Sequence, residues 1–314
     1  MFNGASVLVT GGTGSFGGAF VRRLLTYDIE KVLVVSRDEA KQEDLARAIN
    51  DPRLRCILRD VRDREGISFV MRGGIDYVVH AAALKRIPAG ESDPLEFTKT
   101  NVYGTENVIK AAIEHDIKKV VTLSTDKAAA PCTHYGATKY LAETTTIAAN
   151  RYGGRSCRTR FACTRYGNVA GSRGSVIPLF RKQRELGGPL TITDSAMTRF
   201  WMTVDEAVDL VFSAFQKMEG GEVFIPKCPS FYLMDLALAM GGDIKHVGIR
   251  GSEKLHESLI GPNEARDATE VSGMYVLHGK SGTPLERNME YRSDNNPVFL
   301  TVDELRERVN ESNV

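Results

Sequence analysis

No apolar run in this 314-residue chain approaches the ~20 residues that a membrane span needs, so no spanning helix is expected. The opening "MFNGASVLVTGG" is unlike a signal peptide, because a strand and a glycine turn begin at once. Cysteine is scarce: five residues, an odd number, with no CxxC spacing. Reduced thiols in a cytoplasm are the simplest reading. The six histidines include no HExxH or other ligand spacing, which leaves a metal site little support. An excess of one charge is also missing. The net charge is +1, so no global field favours nucleic acid or an acidic membrane surface as partner. Repeats, low-complexity tracts and linkers are absent as well.

What is present is an ordinary soluble composition, 42% hydrophobic and 26% charged, in a chain long enough to bury roughly 75% of its unfolded surface. Short apolar runs alternate with helical patterns: strands at 6–12, 31–37, 54–63, 74–83 and 118–125, with helices at 15–28, 38–50 and 101–116 between them. This rhythm predicts an α/β fold, a Rossmann-like doubly wound parallel sheet covered on both faces. After about residue 170 the pattern loosens. The expectation is a dinucleotide-binding domain over 1–170 and a smaller C-terminal substrate-binding domain over 171–314. The amphipathic helix 203–217, with Thr203 as its cap, and the run to 226 return to the first domain.

"TGGTGSFGG" places Gly11, Gly14 and Gly17 between the first strand and the first helix, with Thr13, Ser15 and Phe16 among them. Glycines there let backbone N–H groups and a helix N-terminus approach a pyrophosphate. At the end of the second strand, an acid would bind the ribose hydroxyls of NAD. This chain has Ser36-Arg37-Asp38, with Lys41 one turn later. A neutral side chain followed by cations suits the 2′-phosphate of NADP, while Asp38 keeps NAD open. Asp60 and Val61 stand where an adenine would lie. Ala81, Ala82 and Ala83 are small where the chain must pass close to a cofactor.

The segment "LSTDKAAAPCTHYGATK" carries Thr125, Asp126, Lys127, Tyr135 and Lys139. The glycine pattern, the late strand "VVTLST" and the Tyr135/Lys139 pair together resemble the extended short-chain dehydrogenase/reductase family. In that family Lys139 would lower the tyrosine pKa and hold the ribose, and Tyr135 would take the proton as hydride leaves a carbinol carbon. Ser124-Thr125-Asp126-Lys127, with "AAALKRIP", "RYGNVAGSRGSVIP", "AMTRFWMT", "GIRGSEKLHE" and "SDNNPVFLTVDEL", is further similar to the inverting UDP-N-acetylglucosamine 4,6-dehydratases, from residue 6 to about 308.

The resemblance implies C4 oxidation of a UDP-N-acetylhexosamine, loss of water across C5/C6, hydride return to C6 and inversion at C5. Asp126 would be the acid for the departing hydroxyl. Lys127 would be the C5 base, a role Tyr135 could share. The alternative for the pair is an ordinary strand-end ion pair. Lys85, Asn168, Arg199, Arg250 and Glu253 match positions lining the nucleotide-sugar pocket, and Arg173 or Arg181 could share in holding the diphosphate. A homo-oligomer is the expected assembly. Ala130-Pro131, Cys132-Thr133-His134 and Gly251-Ser252 depart from the family pattern. A 4-epimerase, a reductase or a non-catalytic NADP-binding protein are the alternatives in function.

Overall fold

The computed structural model describes residues 1–152, 154, 157–172, 174–249, 251 and 253–311. The apolar runs become β1 (Ser6–Thr10), β2 (Lys31–Ser36), β3 (Leu54–Leu58), β4 (Tyr77–His80), β5 (Lys119–Leu123) and β6 (Arg160–Thr164). Every residue of β1 and β4 is buried, as expected of strands covered on both faces. The intervening helices are α1 (Ser15–Leu24), α2 (Glu39–Ile49), α3 (Arg64–Met71), α4 (Ile87–Ser92), α5 (Pro94–Phe97), α6 (Gly104–Glu114) and α7 (His134–Ala148).

Among the described residues the main sheet has ten strands. It runs β3-β2-β1-β4-β5-β6, then Val223–Pro226, Met274–Leu277, Ala268–Val271 and Thr283–Pro284. Neighbours are parallel from β3 to Val223–Pro226. This is the doubly wound arrangement, whose order reverses between β1 and β4 and leaves a crevice beyond the strand ends. The last three strands add antiparallel. They lie within the stretch that the sequence assigned to substrate binding. Their hairpin turns on Ser272 and Gly273, both with positive φ, the backbone that a two-residue turn between twisted strands requires.

The helix Val204–Lys217 starts on a reciprocal cap between Thr203 and Glu206, and buries Val208, Val211, Phe212 and Phe215 against the sheet and α1. A second core gathers Ile177, Phe180, Trp201, Phe231, Leu236 and Leu305 from elements after residue 170. The helix expected over 101–116 differs at its start. A π-helical stretch, Thr98–Tyr103, precedes α6. There the buried Asn101 side chain bonds both Leu84 N and Leu84 O, and also Thr138 on α7. Such wide turns recur at functional sites because they re-aim a side chain without ending the helix. No helix among the described residues is long and apolar enough to cross a membrane.

Candidate active site

A cleft of about 1780 Å³ opens over the strand ends where the sheet order reverses. The glycine turn forms one wall. Gly11 has φ +69°, and a Cβ there would lie 2.8 Å from the Ala82 backbone. A Cβ at Gly17 would lie 2.5 Å from Gly12 Cα. The first strand, the turn and α1 therefore close up only with hydrogens at these positions. Thr13, Gly14, Ser15 and Phe16 line the same wall, and Ala81, Ala82 and Ala83 face it from the end of β4. Gly14 caps α1 without a side-chain bond, which leaves the helix N-terminal N–H groups for an anion. The hydroxyls of Thr100 and Ser124 are buried, line the cleft and have no partner among the described residues. A dinucleotide fits this cradle: small residues where backbone must approach it, and donors waiting.

At the end of β2 the expected residues come together with different partners. Ser36 Oγ accepts from Gln42 Nε2 at 2.9 Å. Asp38 caps α2 by accepting from Lys41 N at 3.0 Å, and its other oxygen takes the Lys41 ammonium. Arg37, half-exposed, lines the cleft. Val61 lines it too, but Asp60 does not. Asp60 accepts from Arg62 Nε at 2.8 Å and stands 3.5 Å from Arg37. Its carboxylate organises two arginines at the rim.

The acid–base centre forms where β5 ends. Thr125 caps a single 3-10 turn, Asp126–Ala128, which swings Asp126 and Lys127 inward. Asp126 is fully buried. Its Oδ1 accepts from Thr125 Oγ1 at 2.7 Å and from Lys127 Nζ at 3.1 Å. Its Oδ2 has no partner among the described residues. Burial raises the carboxyl above the usual range, against the opposing pull of Lys127.

Tyr135 and Lys139 lie one helical turn apart on α7 and line the same cleft. Burial pushes the phenol up to about 12, opposed by the Lys127 charge and a Thr125 hydrogen bond. Burial also pulls Lys139 down to about 8, and its Nζ donates to Leu123 O at 2.5 Å. Behind it, buried His80 bridges the hydroxyls of Thr10 and Thr105. Burial and Lys139 hold that ring near 3, hence neutral.

One residue went unread in the sequence although it ends the quoted stretch "GIRGSEKLHE". Glu257 is buried and places Oε1 3.0 Å from Lys127 Nζ. The ammonium thus has carboxylates on two sides. Burial pulls Lys127 down, but Asp126 and Glu257 outweigh it and its pKa ends above the lysine range. A lysine base near neutrality needs a lowered pKa; in this state the two carboxylates set the opposite direction, and the sequence disclosed only one of them.

On the substrate side, Lys85, Asn168 and Glu253 line the cleft. Asn168 and Glu253 also line an adjoining cavity of about 270 Å³, together with Lys127, Arg199 and Glu257. Arg199 lines the smaller cavity with most of its donors engaged on the chain itself. Its Nη1 donates to Thr198 O and Leu255 O, and its Nη2 to Lys254 O and Met197 Sδ. Its Nε faces Glu257 at 3.8 Å. With these donors turned inward, Arg199 clamps the chain around Glu257 rather than offering a fork to a diphosphate. Arg181 lies off both cavities and donates to Val309 O. Arg173 and Arg250 lie outside the described residues.

The geometry agrees with the chain's relatives. The model of a family described as polysaccharide biosynthesis protein matches residues 7–279. A Campylobacter jejuni protein named UDP-N-acetylglucosamine 4,6-dehydratase (inverting) is 43% identical over 99% of this chain and 98% of its own. A Rickettsia massiliae protein named UDP-glucose 4-epimerase is 44% identical over 88% of this chain and 84% of its own. Among solved structures, Pen from Bacillus thuringiensis superposes with a TM-score of 0.93 at 36% identity, covering 99% of both chains. DesIV, a dTDP-glucose 4,6-dehydratase from Streptomyces venezuelae with NAD and TYD bound, gives 0.72 at 26% identity, covering 80% of this chain and 86% of that one. With the match spanning nearly the whole sheet and cleft, the chain belongs to the polysaccharide biosynthesis protein family, built on the extended short-chain dehydrogenase/reductase fold.

Proposed function

We propose that this protein is an NADP-dependent 4,6-dehydratase that converts UDP-N-acetylglucosamine to the 4-keto-6-deoxy sugar with inversion at C5. The observation that carries this reading is the buried Asp126–Lys127 pair in the same cleft as Tyr135 and Lys139. Moving a hydride needs only the tyrosine and its lysine. Removing water needs an acid and a base as well.

When bound, the oxidised dinucleotide supplies the hydride acceptor for C4, the hydride donor for C6 and a positive charge beside the phenol. Gly11, Gly14 and Gly17 would let its pyrophosphate reach the backbone, and Arg37 would meet the 2′-phosphate. Tyr135, ionised in the ternary complex, takes the O4 proton as C4 becomes a ketone. The ketone acidifies C5–H. Lys127 becomes a base by passing one proton to Asp126, so a single transfer loads the acid and frees the amine. Lys127 then removes the C5 proton, and Asp126 protonates the C6 hydroxyl, which leaves as water. Both residues return to their charged forms. After hydride reaches C6, Tyr135 gives its proton to C5 from the opposite face. The O4 proton, which exchanges with solvent before the substrate binds, has moved to C5.

The test is incubation with UDP-N-acetylglucosamine and catalytic NADP+ in deuterium oxide. Loss of one water with deuterium at C5 is expected. An unchanged mass with only C4 inverted would overturn the reading in favour of a 4-epimerase, the activity named for the rickettsial relative. No conversion of any UDP-hexosamine would leave a binding protein.

A further inference from the structure

We infer that Glu257 is a positioning residue for the dehydration step: it fixes the Lys127 amine so that the one proton position held by neither carboxylate faces the substrate. This inference rests on the dehydratase reading above. An ammonium has three N–H donors. On Lys127, Asp126 Oδ1 at 3.1 Å and Glu257 Oε1 at 3.0 Å accept two of them. The third position carries an N–H of the ammonium. Once the proton on the Asp126 side has passed to Asp126, a turn about Cε–Nζ brings the lone pair there while two N–H groups still reach the carboxylates. That position is left to the cavities that Lys127 lines. With Asp126 alone, the amine would rotate about one contact and its lone pair would have no fixed direction.

The surrounding structure anchors the backbone at Glu257. Glu257 N donates to Ser293 Oγ at 2.9 Å, and Ser293 N returns a bond to Glu257 O at 2.8 Å. Ser293 Oγ lies 2.7 Å from Thr198 Oγ1, which also meets His256 Nδ1 at 2.8 Å. Arg199 grips the backbone at Lys254 and Leu255 and faces Glu257. Lys254 Nζ donates to Ala129 O, two residues past Lys127. Three separated motifs, "AMTRFWMT", "GIRGSEKLHE" and "SDNNPVFL", thus converge on one buried side chain. Glu257 Oε2, buried beside the smaller cavity, has no partner among the described residues and remains open to a hydroxyl or N–H of the ligand.

The charged and titratable groups around Lys127 are Asp126 on its own turn, Tyr135 on α7, Arg199 on strand Thr198–Phe200, and Lys254 and Glu257 on the returning segment. Among the described residues, removing the Glu257 charge leaves Asp126 as the anion in contact with the ammonium. Lys127 then titrates at lower pH.

The experiment compares wild type, Glu257→Gln and Glu257→Ala. Lys127 is followed by NMR of 15Nζ-labelled lysine in the apoprotein, and turnover by deuterium uptake at C5. In Glu257→Gln the Lys127 titration should move down by roughly one to three pH units. Reduced-cofactor absorbance from C4 oxidation should persist in single turnover, while C5 deuteration falls on the order of 100-fold with KM little changed. Glu257→Ala should lose more of C5 deuteration than Glu257→Gln, because the amide still accepts a hydrogen bond. An unmoved Lys127 titration, or equal loss of C4 oxidation and C5 deuteration, would overturn the inference. If wild type itself shows no dehydration, the function fails and the titration still judges the contact.

Discussion

Arg165, buried just past the end of β6, holds Glu264 through two parallel hydrogen bonds of 2.8 Å, reaches Glu143 on α7 with Nε and Nη2, and donates from Nη1 to Leu259 O. It joins the helix that carries Tyr135 and Lys139 to the segment that follows Glu257. Arg165→Met leaves two carboxylates without their cation and is expected to cost about 3–5 kcal/mol, read by denaturant unfolding. A loss below about 1 kcal/mol would mean that the carboxylates find other partners. Burial works against the ionised Glu264, but Arg165 outweighs it and holds the carboxyl below the usual range. A lowered acid stabilises fully above its unfolded value of about 4.3 and loses that contribution as pH falls through the folded value. Wild type should show this acid loss, and the variant should lack it.

Asp126→Asn should separate the two halves of the reaction. The amide cannot protonate the C6 hydroxyl, so dehydration should fall by about 100- to 10,000-fold. Oxidation at C4 should persist, seen as reduced-cofactor absorbance in a single turnover. Equal loss of both would assign Asp126 to holding the turn rather than to the acid step.

Both cations expected at a 2′-phosphate line the cleft; Lys41 is paired with Asp38, while Arg37 stands 3.5 Å from Asp60. Arg37→Ala should weaken NADP by roughly 10- to 100-fold, the range of a charged hydrogen bond, and leave NAD nearly unchanged. Calorimetric titration with each dinucleotide measures both. Equal weakening would place Arg37 on the shared part of the cofactor.

Lys139 gives a pH signature in the apoprotein. Its pKa is pulled down to about 8 by burial. Between about 8 and the free value of about 10.4 the unfolded chain binds a proton that the folded chain does not. Stability attributable to this group therefore rises with pH across that window, by up to about 3 kcal/mol, and is constant below it. Lys139→Met should abolish the slope in urea titrations at a series of pH values. An unchanged slope would assign it to another group.

What the sequence disclosed was local. The glycine turn, the end of β2 and the Tyr135/Lys139 pair each fall within a few residues of one element, where spacing and geometry are the same thing. The parallel sheet was legible for a related reason, because its strands are buried on both faces and read as unbroken apolar runs. The antiparallel strands at 268–284 were not, since each has four residues or fewer and only Met274–Leu277 among them is mostly buried. Glu257 escaped because its meaning lies in Lys127, far along the chain and joined to it only in the folded state. Arg199 could be placed only by resemblance; that its donors rest on the carbonyls of Lys254 and Leu255 is visible only in the folded state. Asp60 was placed at the right strand end, but its partners there are arginines.

The clamp on Lys127 is divided along the chain. Asp126 is its neighbour in sequence, whereas Glu257 comes from the last quarter of the chain, held by Ser293, which in turn meets Thr198. Every residue placed at the dinucleotide lies at or before Lys139, so the cofactor cradle and the second anchor of the Lys127 amine are built from separate stretches of sequence. A change in the late stretch can therefore reach the amine without touching the cradle.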